Sequence, residues 1–129
     1  MKAILLDSQS LLWAISDETN FGTKAARRLL SSQRVHFSSI SVAEFEIKRA
    51  KKKLAFADSI WDSLESHGYE QQPFDFTAAK AIARFGSLDG HDPFDRMLIA
   101  QAASRNMDFF TADEKLISLG FDWVIDARV

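Results

Sequence analysis

Apolar residues come in short blocks along this chain, some unbroken and some at helical spacing, and the two kinds alternate. Residues 3–6 are an unbroken apolar run that stops at Asp7, the pattern of a strand buried on both faces of a parallel sheet. Leu11, Leu12, Ala14 and Ile15 form a helical stripe, and Ala25, Ala26, Leu29 and Leu30 form another after a start signal at Gly22 and Thr23. Residues 35–38 read as a second strand. Ser41 and Glu44 then match a capping box, which predicts a helix from near Ser41 to about Lys53.

Ile60, Trp61 and Leu64 predict a helix over 57–66, and 69–74 read as a short strand or an extended connection. Residues 76–85 look helical, and the turn formers of 86–91 predict an exposed loop. Asp92 and Pro93 open the next helix, which covers 97–104. A strand over 107–111, a short helix over 113–119 and an edge strand over 123–125 complete the pattern. Alternating strands and helices, with no repeat and no linker, predict one domain over 1–129. Its expected class is α/β, a three-layer α/β/α sandwich around a central parallel sheet of four to five strands.

Composition narrows the chemistry. The 129 residues are 47% hydrophobic, enough for one substantial core. With no cysteine, thiolate zinc sites are excluded, and His36, His67 and His91 show none of the usual zinc spacings. Any metal is therefore expected to rest mainly on oxygen ligands. No apolar run reaches about 18 residues, and the stretch before Asp7 is too short for a signal sequence, so a soluble, cytoplasmic chain with no membrane partner is expected. The net charge of -2 conceals a basic cluster of Lys48, Arg49, Lys51, Lys52 and Lys53.

The candidate site is acidic. Asp7 and Asp113 follow expected strands at the carboxyl edge, where open α/β sheets bind their ligands. Glu44 and Asp95 fall in the expected first turns of two helices at the same rim. Each has a structural alternative: Asp7, Asp92 and Asp113 fit N-caps, and Glu44 and Asp95 suit helix dipoles. Capping does not require carboxylates from four segments to share one edge, where they would repel. A divalent cation keeps such a group ionised, and hard oxygen donors favour Mg²⁺ or Mn²⁺. That ion suits hydrolysis of a phosphodiester.

These residues carry a resemblance. The segment Leu5-Leu6-Asp7-Ser8-Gln9-Ser10-Leu11-Leu12-Trp13 resembles the opening L-L-D-T-H-x-L-L-W of PIN-domain nucleases. Ser41-Val42-Ala43-Glu44 is similar to their S-x-x-E, Asp92-Pro93-Phe94-Asp95-Arg96-Met97-Leu98-Ile99-Ala100-Gln101-Ala102 to the D-P-F-D-R block of one subgroup, and Thr111-Ala112-Asp113 to their T-x-D. Gln9 and Ala43 depart from the commoner His and Trp. Within the family the chain looks like the VapC-type toxins of bacterial toxin–antitoxin pairs, and the likeness covers essentially the whole chain.

The resemblance implies a metal-dependent endoribonuclease that hydrolyses RNA phosphodiesters, with catalytic and metal-binding Asp7, Glu44, Asp95 and Asp113. It implies a small antitoxin protein as partner and a homodimer, with Asp92 as an auxiliary acid. By their own chemistry, Ser8 and Thr111 suit either auxiliary support of the carboxylates or ordinary helix and strand positions, and Lys48, Arg49 and Lys52 either contact RNA phosphates or form a solvated helix end that complements the dipole. Arg96 is expected to pair within the turn from Asp92, and Trp13, Phe45 and Trp61 to be core rather than partner surface. The alternative functions are an inactive PIN-like module that binds RNA or protein, and a receiver-like signalling domain, whose paired acids and late Lys the sequence lacks in the expected places.

Overall fold

The computed structural model describes residues 2–32 and 34–129. Five strands form one sheet in the order β3-β2-β1-β4-β5, and every neighbouring pair is parallel. They are β1 (Ile4–Leu6), β2 (Val35–Ser38), β3 (Tyr69–Gln72), β4 (Asp108–Thr111) and β5 (Val124–Asp126). The helices are α1 (Ser8–Ser16), α2 (Thr23–Ser31), α3 (Ser39–Ala50), α4 (Ile60–Ser66), α5 (Phe76–Ala81), α6 (Pro93–Ser104) and α7 (Glu114–Ile117). Short 3-10 turns cover Glu18–Asn20 and Ile82–Leu88.

The period of two along a strand divides the core. Ile4 and Leu6 join Phe37 and Phe110 beneath α1, α2 and α4, with Leu11, Ala25, Leu64 and Trp61 supplying the helical side. Leu5 and Phe109 point the other way, into Leu98, Ala102 and Leu116 from α6 and α7. The outcome is the expected three-layer α/β/α sandwich, with five strands. Phe45 and Trp61 belong to an aromatic group with Phe37 and Phe56, and Trp13 packs edge-on against Phe21, so these aromatics serve the core as expected. Among the described residues no helix is long and apolar enough to cross a membrane.

Three local expectations need correction. The helix carrying Glu44 begins at Ser39, because Ser38 at the end of β2 takes the cap: its hydroxyl accepts from Ile40 N at 3.0 Å. Ser41 and Glu44 are therefore no capping box. That helix also stops at Ala50, and Lys52 reverses the chain with φ 59°. The stretch 86–91 is exposed at 86, 87, 89 and 90 as expected, but 86–88 continue the 3-10 turn rather than a loop, and Leu88 is buried. Arg96 pairs with Asp89 and donates to the carbonyl of Ile82 at 3.2 Å, rather than pairing with Asp92.

Gln101 of α6 ties two layers together away from the acidic residues. Fully buried, it accepts from Ser38 Oγ and donates to the carbonyls of Gln72 and Pro73 at 3.1 and 3.2 Å, fastening the carboxyl ends of β2 and β3 to α6.

Candidate metal centre

Asp7 stands one residue beyond β1. Its amide donates to Phe110 O at 3.0 Å, which extends the β1–β4 ladder, and its Oδ1 accepts from Ser10 N at 2.8 Å to cap α1. The side chain is thereby held in a wall that leaves the residue 3% exposed. Burial pushes this carboxyl up, and the charge of Asp113 adds to the rise, while hydrogen bonds from Thr111 and Ser10 oppose it.

Glu44 reaches the same place from the second turn of α3. Ser8 Oγ donates to its Oε1 at 2.7 Å, and Lys48 Nζ to its Oε2 at 2.8 Å. Because the single Ser8 proton is spent on Glu44, Ser41 is the donor in the 2.9 Å contact between the two serine hydroxyls. Glu46 turns away, accepting from Arg49 and from Trp61 Nε1.

Asp95 lies in the first turn of α6, which Asp92 caps by accepting from Phe94 N at 2.9 Å. Asp113 caps α7, accepting from Leu116 N at 3.0 Å, and its own amide donates to Thr111 Oγ1 at 3.0 Å. The capping and functional readings are thus compatible: Asp7 and Asp113 each spend Oδ1 on a helix and keep Oδ2 outside the cap. Burial, then the charges of Asp92, Asp7 and Asp113, push the Asp95 carboxyl up to about 7, with His91 opposing.

His91 is the residue that sequence reasoning missed. Its Nε2 is 3.2 Å from Asp95 Oδ2 and 3.3 Å from Asp113 Oδ2, yet it is buried and makes no aligned hydrogen bond to either. The only sequence signal was its position four residues before Asp95.

Asp7, Glu44, Asp95 and Asp113 line one cleft of about 690 Å³, together with Ser8, Gln9, Trp13 and Phe45. Lys48 and Lys53 also line it. Arg49 is committed to Glu46 and Asp58 and stacks 4.3 Å over the Phe56 ring, and with Lys52 it borders a separate groove. Of the basic cluster, then, Lys48 and Lys53 are the members at the acidic cleft. The donor set fits a hard divalent cation: the Asp7 and Asp95 carboxyls, pushed up by burial and by neighbouring acids, and a buried imidazole nitrogen with no hydrogen-bond partner.

Carboxylates gathered beyond the strand ends of a parallel α/β/α sandwich define a class of proteins that bind their ligands at that edge. The chain belongs to the PIN-domain family, whose sequence profile matches residues 4–122. No curated protein matches it in sequence. Among solved structures it is similar to VapBC2 from Rickettsia felis bound to a DNA fragment from their promoter, with TM-score 0.67 and 15% identity over 92% of this chain and 93% of that one. It is also similar to DNA-bound VapBC from Salmonella typhimurium, with TM-score 0.65 and 20% identity over 92% of both chains. A toxin–antitoxin complex from Klebsiella pneumoniae gives TM-score 0.65 and 14% identity over 97% of this chain and 98% of that one. At these identities the likeness is one of fold.

Proposed function

We propose that this chain is a Mg²⁺- or Mn²⁺-dependent endoribonuclease and the toxin of a toxin–antitoxin pair. The observation that carries the reading is the meeting of Asp7, Glu44, Asp95 and Asp113, from four separate segments of a PIN domain, in one cleft. Asp7 and Asp95 would hold the ion directly, with Asp113 beside them and Glu44 acting at one remove through its bonds to Ser8 and Lys48. When bound, the ion would lower the pKa of a water and offset charge on the phosphoryl oxygens.

The chain's own residues serve that chemistry in definite ways. Ser41 and Ser8 orient Glu44, and Thr111 supports Asp7 and the Asp113 amide. Lys48 and Lys53 supply positive charge where a phosphate backbone would enter, while Lys52 and Arg49 sit at the neighbouring groove. The fold neighbours named above are VapBC and toxin–antitoxin complexes, which supports a small antitoxin partner for this chain; a homodimer acting in the cytoplasm is part of the same proposal. The test is incubation of metal-stripped protein with single-stranded RNA. Cleavage is expected on adding Mn²⁺ or Mg²⁺ and is expected to vanish in Asp95→Asn; cleavage that survives both chelation and this substitution contradicts the proposal.

A further inference from the structure

Resting on that metal-site reading, we infer that His91 is a nitrogen ligand of the centre, and that it biases the site toward Mn²⁺ over Mg²⁺. The His91 amide donates to Leu88 O at 3.0 Å, and Leu88 is anchored in the core at 1% exposure. Gly90 turns the chain with φ 83°, a conformation open to glycine, and the Asp89–Arg96 ion pair ties the loop to α6. These contacts fix the backbone at His91, and its Nε2 makes no hydrogen bond to the acids.

The geometry around Nε2 is that of a ligand shell. The ligand atoms of His91, Asp95 and Asp113 all lie within 4.8 Å of one another, and the imidazole stands 3.2 and 3.3 Å from the two carboxylates. Neighbouring donors around an ion bound at about 2.1 Å in octahedral geometry are separated by about 3 Å. A structural ion pair would align the N–H with an oxygen, and here no such alignment is made. Imidazole nitrogen is a borderline donor that Mn²⁺ accepts more readily than the strictly oxygen-seeking Mg²⁺, which gives the selectivity its direction.

The experiment is pulsed electron paramagnetic resonance of Mn²⁺ bound to the full chain, prepared free of any histidine tag, alongside Mn²⁺ and Mg²⁺ titration calorimetry. The expected result is nitrogen hyperfine coupling that changes when the protein is labelled with ¹⁵N-histidine and disappears in His91→Ala. His91→Ala is also expected to lose about tenfold in Mn²⁺ affinity and clearly less in Mg²⁺ affinity. The isotope comparison needs no substitution, so it stands even if the variant folds poorly. Mn²⁺ bound without nitrogen coupling overturns the inference while leaving the metal site intact. Stronger binding of both ions by His91→Ala overturns it as well, because the imidazole would then be a competing cation. Failure of the unaltered protein to bind either ion overturns the metal-site reading and this inference together.

Discussion

Ser8 Oγ donates to Glu44 Oε1 at 2.7 Å, joining the first turn of α1 to the second turn of α3 across the mouth of the acidic cleft. The bond aims a carboxylate that Lys48 holds from its other oxygen. Ser8→Ala is therefore expected to weaken Mn²⁺ binding by about tenfold, and Ser8→Thr, which keeps the hydroxyl, to restore it. Calorimetric titration of the two variants measures this, and equal affinities for Ala and Thr would contradict it.

Asp7→Asn separates capping from metal binding. Asparagine caps helices about as well as aspartate, so α1 should be retained. Removing a carboxylate from a site where burial already disfavours its charge should leave the metal-free protein as stable as the parent or more so. Addition of Mg²⁺ should then raise Tm in the parent and not in the variant. A parent and a variant that gain equally would contradict the placement of Asp7 at the ion.

The acidic cluster also sets a pH dependence. Asp95 is raised from 3.8 to about 7, so across that interval the folded metal-free protein keeps a proton that the unfolded chain has lost. This contribution to stability is fully present below the unfolded value and is lost as pH rises through the folded one. Bound Mg²⁺ stabilises the ionised form and reverses the trend. The Tm gain on adding Mg²⁺ is thus expected to be larger near about pH 8 than near about pH 5; thermal melts at the two pH values with equal gains would contradict it.

Away from the site, Gly22 is fixed by space. A Cβ there would fall 2.1 Å from the carbonyl carbon of Val129 and 2.4 Å from that of Arg128, and the Gly22 and Lys24 amides donate to Ala127 and Val129 oxygens at 2.9 Å. Gly22→Ala must push this backbone aside and is expected to cost about 1–3 kcal/mol in urea unfolding. A loss below about 0.5 kcal/mol would show that the contact yields freely.

The sequence made some of these relationships legible and hid others for physical reasons. β1 was readable because a strand buried on both faces carries an unbroken apolar run, and β2 because the β-formers Val35 and Phe37 alternate with His36 and Ser38. β3 was ambiguous because Tyr69, Glu70, Gln71 and Gln72 lie at a half-exposed edge and carry no such signal. The start of α3 was misplaced because Ser38, Ser39 and Ser41 can all cap, and only the fold shows Ser38 doing so while Ser41 turns to Ser8. The four acids were legible through their motifs. His91 was not, since its second acidic neighbour, Asp113, is remote in the chain and joins it only when β4 and α6 are packed together.

The central claim is that these four carboxylates carry metal-dependent cleavage of RNA. Single-turnover cleavage of a labelled single-stranded RNA, in Mn²⁺, by the parent protein and by folded Asp7→Asn tests it most directly. Cleavage by the parent that stops on chelation and falls by about a hundredfold or more in Asp7→Asn is the expected result. Equal cleavage by the two proteins, or none by a metal-loaded parent across varied RNAs, would contradict the account.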